Sequence, residues 1–192
     1  MLKPQDTLLA LKYWSIKSQG YSSAKQGSPA KESSSGPDDR NLWPSVRQLA
    51  ESIKISPGEI SKSAKRLLAS KLLVHRKGVY LAEKSALKDW LCYGVRYAYP
   101  VENAGYGRGT PTAWNCPLIE SEIVPPTPPV VWPVSGGAVD GSLIRPIHES
   151  VSFAASNDQL LYEALSLVEA IRLGKPRELK IAREQLSNLL ER

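Results

Sequence analysis

The side chains able to carry covalent or metal chemistry are few in this chain and lie far apart. Its two histidines, His75 and His148, have no cysteine, aspartate or second histidine close by in sequence. Cys92 and Cys116 form neither a CxxC pair nor a Cys/His cluster, so both are expected as reduced structural thiols rather than zinc ligands or a disulfide. Glu120 and Glu122, in the stretch IESEI, share a face of an extended chain but have no basic or metal-binding neighbour. Gly105-Tyr106-Gly107-Arg108-Gly109 offers backbone N–H groups that an anion can use, with Arg108 beside them. It lacks the strand-to-helix setting of a dinucleotide fingerprint and the spacing of a P-loop, so a structural turn is the simpler reading. No nucleophile stands beside a base, and no catalytic residue, metal ligand set or cofactor is expected.

The chemistry that the residues do suit is the neutralisation of a polyanion. The formal net charge of +6 hides an asymmetry. Residues 1–100 hold 17 Lys and Arg against 8 Asp and Glu, net +9, whereas residues 101–192 hold 8 against 11, net −3. Eight of the cations fall between residues 45 and 78: Arg47, Lys54, Lys62, Lys65, Arg66, Lys71, Arg76 and Lys77, opposed only by Glu51 and Glu59. Cations gathered in this way release counterions when they meet phosphates, which is the main source of non-specific affinity for nucleic acid.

The elements that must hold these cations can be read from the same stretch. Val46, Leu49, Ala50 and Ile53 recur at helical spacing over Ser45–Ile53, and only Lys54 and Ile55 separate that helix from the next. Ser56 is placed to cap the second helix, Pro57 suits its first turn, and Glu59 stands where a capping box needs it. Ile60, Ala64, Leu67 and Leu68 give that helix an apolar stripe and leave Ser61, Lys62, Lys65 and Arg66 on other faces. Leu72-Leu73-Val74 and Val79-Tyr80-Leu81 then flank His75-Arg76-Lys77-Gly78, the pattern of a hairpin with a basic tip. This order of helix, short turn, capped basic helix and basic hairpin resembles the winged helix-turn-helix of bacterial MarR-like regulators over about residues 4–96. The resemblance implies double-stranded DNA as partner and a regulatory role, that of a repressor or an antitoxin-like autoregulator. The residues expected at the DNA are Arg47, Ser56, Ser61, Lys62, Lys65, Arg66, Arg76 and Lys77, with Arg66 on a phosphate.

Around that unit the chain divides by composition. A first helix is expected over residues 4–18, with Leu8, Leu9, Leu11, Tyr13, Trp14 and Ile16 giving it a broad apolar surface. Residues 19–42, rich in Ser, Gly, Lys and Pro, are expected as a flexible loop. Ser85 is placed to cap a helix carrying Leu87, Trp90, Leu91, Gly94 and Val95, which closes a winged domain at residues 1–96. Residues 97–150 hold nine of the fifteen prolines, so residues 97–156 are expected as an extended strap with short strands, packed through residues such as Trp114, Val131 and Trp132. Residues 157–192 read as a helical hairpin capped by Ser156 or Asn157, with Gly174 and Pro176 at its turn.

The expected class is therefore α+β and mainly helical: winged domain, Pro-rich strap, helical hairpin. Leu160, Leu167, Leu173, Ile181 and Leu190 lie off the stripes by which the two helices can bury each other, which suggests a partner surface; Leu160, Leu167, Leu186 and Leu190, on or beside those stripes, are the candidate interface residues. The expected partner is a second copy, since two-fold dimers read paired half-sites; packing on the chain's own strap or winged domain, or docking of a different protein, are the alternatives. A chain ended near Ser156 is then expected to stay soluble as a monomer. With neither a secretory signal nor an apolar run of about 18 residues, the expectation is a cytoplasmic protein with no membrane partner.

Overall fold

A computed structural model describes residues 1–26, 43–119, 123–174 and 176–192. The fold is α+β, with helices dominant and two small sheets. In chain order the elements are α1 (Pro4–Gln26), α2 (Val46–Ile53), α3 (Pro57–Ala69), β1 (Leu73–Arg76), β2 (Val79–Ala82), α4 (Lys84–Asp89), a π-helical turn (Trp90–Gly94), α5 (Val95–Ala98), β3 (Asn103–Pro111), β4 (Val130–Pro133), β5 (Val139–Ile144), α6 (Val151–Ser156), α7 (Gln159–Leu173) and α8 (Pro176–Glu191).

Helix α1 runs eight residues past the expected end at residue 18, so part of the expected loop is helical; residues 27–42 lie outside the described residues. Once a helix is anchored, each further turn adds hydrogen bonds without a new nucleation cost, and no proline interrupts the sequence before Pro29. The anchor is broad. Leu8, Leu9, Leu11 and Trp14 are fully buried, and α1 packs on α3 and β2 on one side and α7 on the other. Buried polar groups fix both seams. Asp6 receives two hydrogen bonds from the Arg66 guanidinium of α3, at 2.8 and 2.6 Å, and a third from the Ser63 hydroxyl. Asp158, at the start of α7, accepts from Lys12 at 2.9 Å, Ser15 at 2.6 Å and Gln19 at 2.7 Å of α1.

The proline-rich stretch contains β3, β4 and β5, each of which pairs with the other two, so the sheet closes on itself. Closure at such small radius brings backbone against backbone, and glycine makes room for it. A Cβ on Gly109 would stand 2.1 Å from the Trp132 carbonyl oxygen, and one on Gly141 2.2 Å from that of Pro129. The GYGRG run is thus part of strand β3, with a bulge between Asn103 and Gly105, rather than the turn expected from its glycines. Val131 and Trp132 are fully buried, and the Trp132 indole attaches the sheet to Glu169 of α7.

Helix α7 is the hub. From Ala164 to Arg172 every residue is buried, as a helix enclosed on all sides requires. Its two charges in that run are matched. Glu169 pairs with Arg172 and also accepts from the Trp132 indole at 3.3 Å and the Ile147 amide at 3.2 Å. Arg172 spends its other donors on the Tyr99 and Pro100 carbonyls, at 2.7 and 3.1 Å. Burial pushes the Glu169 carboxyl above the usual carboxylate range, and these donors oppose the rise. The N-cap is Asp158, whose carboxylate accepts from the Leu161 amide at 3.0 Å, rather than Ser156 or Asn157.

One apolar core includes residues from Leu8 through Leu190. This corrects the reading of the C-terminal leucines. Leu167, Leu186 and Leu190 are buried within their own chain, and Leu160 is half-buried at the wall of an open groove of about 490 Å³. Much of the apolar surplus of α7 and α8 is covered by α1, the β4 tryptophan and the α4–α5 helix, so Leu167, Leu186 and Leu190 are not open to a second copy. The Trp14 indole even donates to the Leu190 carbonyl, at 3.3 Å.

Candidate nucleic-acid interface

The α2–α3 pair owes its geometry to local signals. Ser45 caps α2 in a complete capping box with Gln48: the Gln48 amide donates to the Ser45 hydroxyl at 3.3 Å, and the Ser45 amide donates to the Gln48 side chain at 2.9 Å. The chain leaves α2 through Lys54, whose φ of 49° turns the backbone left-handed, and Ile55 is buried beneath the turn. Ser150 donates to the Lys54 carbonyl at 3.2 Å, and the Lys54 ammonium lies 3.9 Å from the centre of the Phe153 ring, so the turn rests on α6. Ser56 then caps α3 through the Glu59 amide at 3.3 Å. The expected box is only half formed, because the Glu59 side chain is drawn to Arg66, at 2.9 Å, and to Gln5, at 3.1 Å. Those two hydrogen bonds, Arg66 first, hold the Glu59 carboxyl below its ordinary range. Val46, expected in the core, is 42% exposed at the opening of α2.

Helix α3 sorts its charges by face. Ile60, Ser63, Ala64 and Leu67 are buried against α1 and α2. Arg66 follows them inward: its side chain is 21% exposed and ties α3 to Asp6 of α1 and to Glu59. Asp6 before all else holds its guanidinium above the ordinary range. Its Nε and Nη2 donors are committed to Asp6 and Glu59, so the structure gives Arg66 the part of a clamp on the helix rather than that of the free cation expected. Ser61, Lys62 and Lys65 occupy the opposite, exposed face. The Lys62 side chain is 73% exposed and stands 4.0 Å from Glu59, a loose surface pair of little energetic weight. Ser61 donates to the Pro57 carbonyl at 3.0 Å and keeps acceptor capacity on its hydroxyl. Arg47 and Ser56 are exposed at the starts of α2 and α3.

The hairpin is tighter than the expected four-residue turn. Strands β1 and β2 pair from Leu73↔Ala82 to Arg76↔Val79, leaving Lys77 and Gly78 as the whole loop. Both have positive φ, 50° and 83°, as a type I′ turn demands. Glycine meets that at no steric cost. His75 lies opposite Tyr80 with ring centres 4.9 Å apart, and Tyr80 in turn contacts Tyr13 of α1. Arg76 and Lys77 stand exposed at the tip. Lys71, exposed at the left-handed residue between α3 and β1, joins the surface cations although the motif alone did not single it out. The charge count already included it; its left-handed backbone makes the chain reversal between Ser70 and Leu72.

Of the eight residues expected at a polyanion, seven are exposed and Arg66 alone is withdrawn. Among the described residues, no group of His, Cys, Asp and Glu is arranged to hold a metal ion, and no helix is long and apolar enough to cross a membrane. No protein-family model matches the chain, and neither a curated protein nor a solved structure matches it.

Proposed function

We propose that this chain is a sequence-specific duplex DNA-binding regulator of the winged helix-turn-helix type, with α3 as the recognition helix and the β1–β2 hairpin as the wing. The observation that carries the reading is the division of α3. Its cations Lys62 and Lys65 stand outward with Ser61, while Arg66, on the same helix, is used to hold it in place. In the proposed complex Ser61, Lys62 and Lys65 reach base edges or flanking phosphates in the major groove. Arg47 and the Ser56 end of α3 lie at the backbone, and Arg76 and Lys77 meet phosphate or the adjacent minor groove.

The test begins with selection of bound sequences from a random duplex pool, followed by anisotropy titrations on the enriched site. Lys62→Ala with Lys65→Ala is expected to weaken binding by tenfold or more on the order of two lost charged contacts, with thermal stability unchanged. Neutralising Arg76 and Lys77 is expected to lower the slope of log affinity against log salt by up to about two. Parent affinity in the double-lysine variant would reject the assignment of α3.

A further inference from the structure

A second exposed surface lies away from α3 in sequence, where the π-helical turn joins α5. Tyr93 and Tyr97 are 60% and 76% exposed, so both rings are open to solvent. They are four residues apart on one continuous helical stretch, so they follow one another along a single side of it, about 6 Å apart at Cβ. Each ring has a guanidinium on it. Arg183 of α8 is centred 4.6 Å from the Tyr93 ring, and Arg96 5.4 Å from the Tyr97 ring. Arg183 is fixed there, because its Nε donates to the Cys92 carbonyl at 2.7 Å. Among the described residues, no carboxylate forms a salt bridge with either arginine.

We propose that this face binds an unpaired nucleic-acid strand, with bases stacking on Tyr93 and Tyr97 and phosphates meeting Arg183 and Arg96. The unit of one flat ring and one cation occurs twice in succession, and a single strand is a polymer of one flat ring and one anion per step. Base stacking on aromatic side chains tolerates any sequence, since every base has a π face, and arginine adds to it. A duplex keeps its base faces covered, so it cannot use the rings. An acidic peptide complements the arginines but supplies no series of planar groups for the tyrosines.

Anisotropy titration of the full chain against a labelled homothymidine 15-mer at low salt tests this. Binding is expected in the parent, with a loss of about tenfold or more in Tyr93→Ala with Tyr97→Ala, and near-parent affinity in the Tyr→Phe pair, which keeps the rings. Duplex affinity is expected to be unchanged by the tyrosine variants. In the converse experiment, Lys62→Ala with Lys65→Ala lowers duplex affinity while the tyrosine-dependent strand binding remains, so failure of one assignment is distinguishable from failure of the other. Because both rings are exposed, the variants should melt with the parent, and a melt checks it. No binding of the 15-mer at tens of micromolar protein, or equal affinity in the alanine pair, overturns the proposal. So does binding of polyglutamate with the same dependence on the tyrosines when the oligonucleotide fails, which would make the face a site for an acidic protein segment.

Discussion

The charges of α3 and the hairpin differ from those of α7 in what they face. Lys62, Lys65, Arg76 and Lys77 are exposed, and among the described residues the one salt bridge any of them makes is that of Lys62 with Glu59, at 4.0 Å. Asp158, Glu169 and Arg172 are buried, and each is met by several donors or acceptors of the same chain. An exposed cation contributes little to stability but is free to meet a phosphate. A buried ion is costly to leave alone, so its partners hold distant elements together. Arg66 belongs to the second group although it sits on α3, and this shows that residue type and helix membership do not decide which group a charge joins.

The sharpest way to break the contrast is to remove α7 and α8. A chain ended at Ser156 is expected to lose its fold rather than persist as a monomer, since Trp14, Leu8 and Leu9 would lose the helix that covers them. Far-UV circular dichroism and a cooperative melt would check it; a cooperative fold in the truncated chain would show that the two regions are independent. Next in size, Asp158→Ala strands Lys12 and uncaps α7, with an expected loss of about 3 kcal/mol in a denaturant titration.

Glycine makes the same contrast at smaller scale. Gly109→Ala forces a Cβ onto the Trp132 carbonyl in the closed sheet and is expected to cost about 2 to 3 kcal/mol. Gly58→Ala, in the first turn of α3 with nothing within 4 Å of the added carbon, is expected to raise stability by about 0.5 kcal/mol. Equal effects in paired melts would refute the difference between the regions.

The smallest expected effect concerns pH. Burial lowers the His148 pKa below its ordinary 6.5, against the opposing pull of Glu149, and its Nδ1 accepts from the Ser150 amide at 3.2 Å, which requires the neutral ring. The unfolded chain therefore binds a proton at higher pH than the folded one. The stability contributed by neutral His148 is present above pH 6.5 and is lost as pH falls through the folded pKa. Melting temperatures taken from pH 7.5 down to 5.5 are expected to fall more steeply in the parent than in His148→Gln.

How much was legible in the sequence follows the range of the interactions. The cap and stripe of α3 and the hairpin rest on neighbours a few residues apart, and Ser56, Pro57 and Gly78 mark them in the sequence, whereas the caps expected at Ser85 and at Ser156 or Asn157 fall instead at Glu83, without a side-chain cap bond, and at Asp158. Arg66 was misread because its partner Asp6 is sixty residues away, and no spacing rule links them. The leucines of α7 and α8 left two readings open, a second copy or the rest of the chain, because helical spacing shows an apolar surplus but not what covers it. The structure covers them with α1, the α4–α5 helix and the sheet. The sheet itself was hidden by its own composition: glycine and proline usually interrupt strands, but here glycine lets three of them meet at close range.

The hydrogen bond from Trp14 to the Leu190 carbonyl bears on how the chain comes off the ribosome. Helix α1 emerges before α7 and α8, and the groups that seal it arrive only with them. A nascent chain halted before them carries an open core while its basic hairpin is already complete in sequence. Protease sensitivity is therefore expected to distinguish a chain that has closed this core from one that has not.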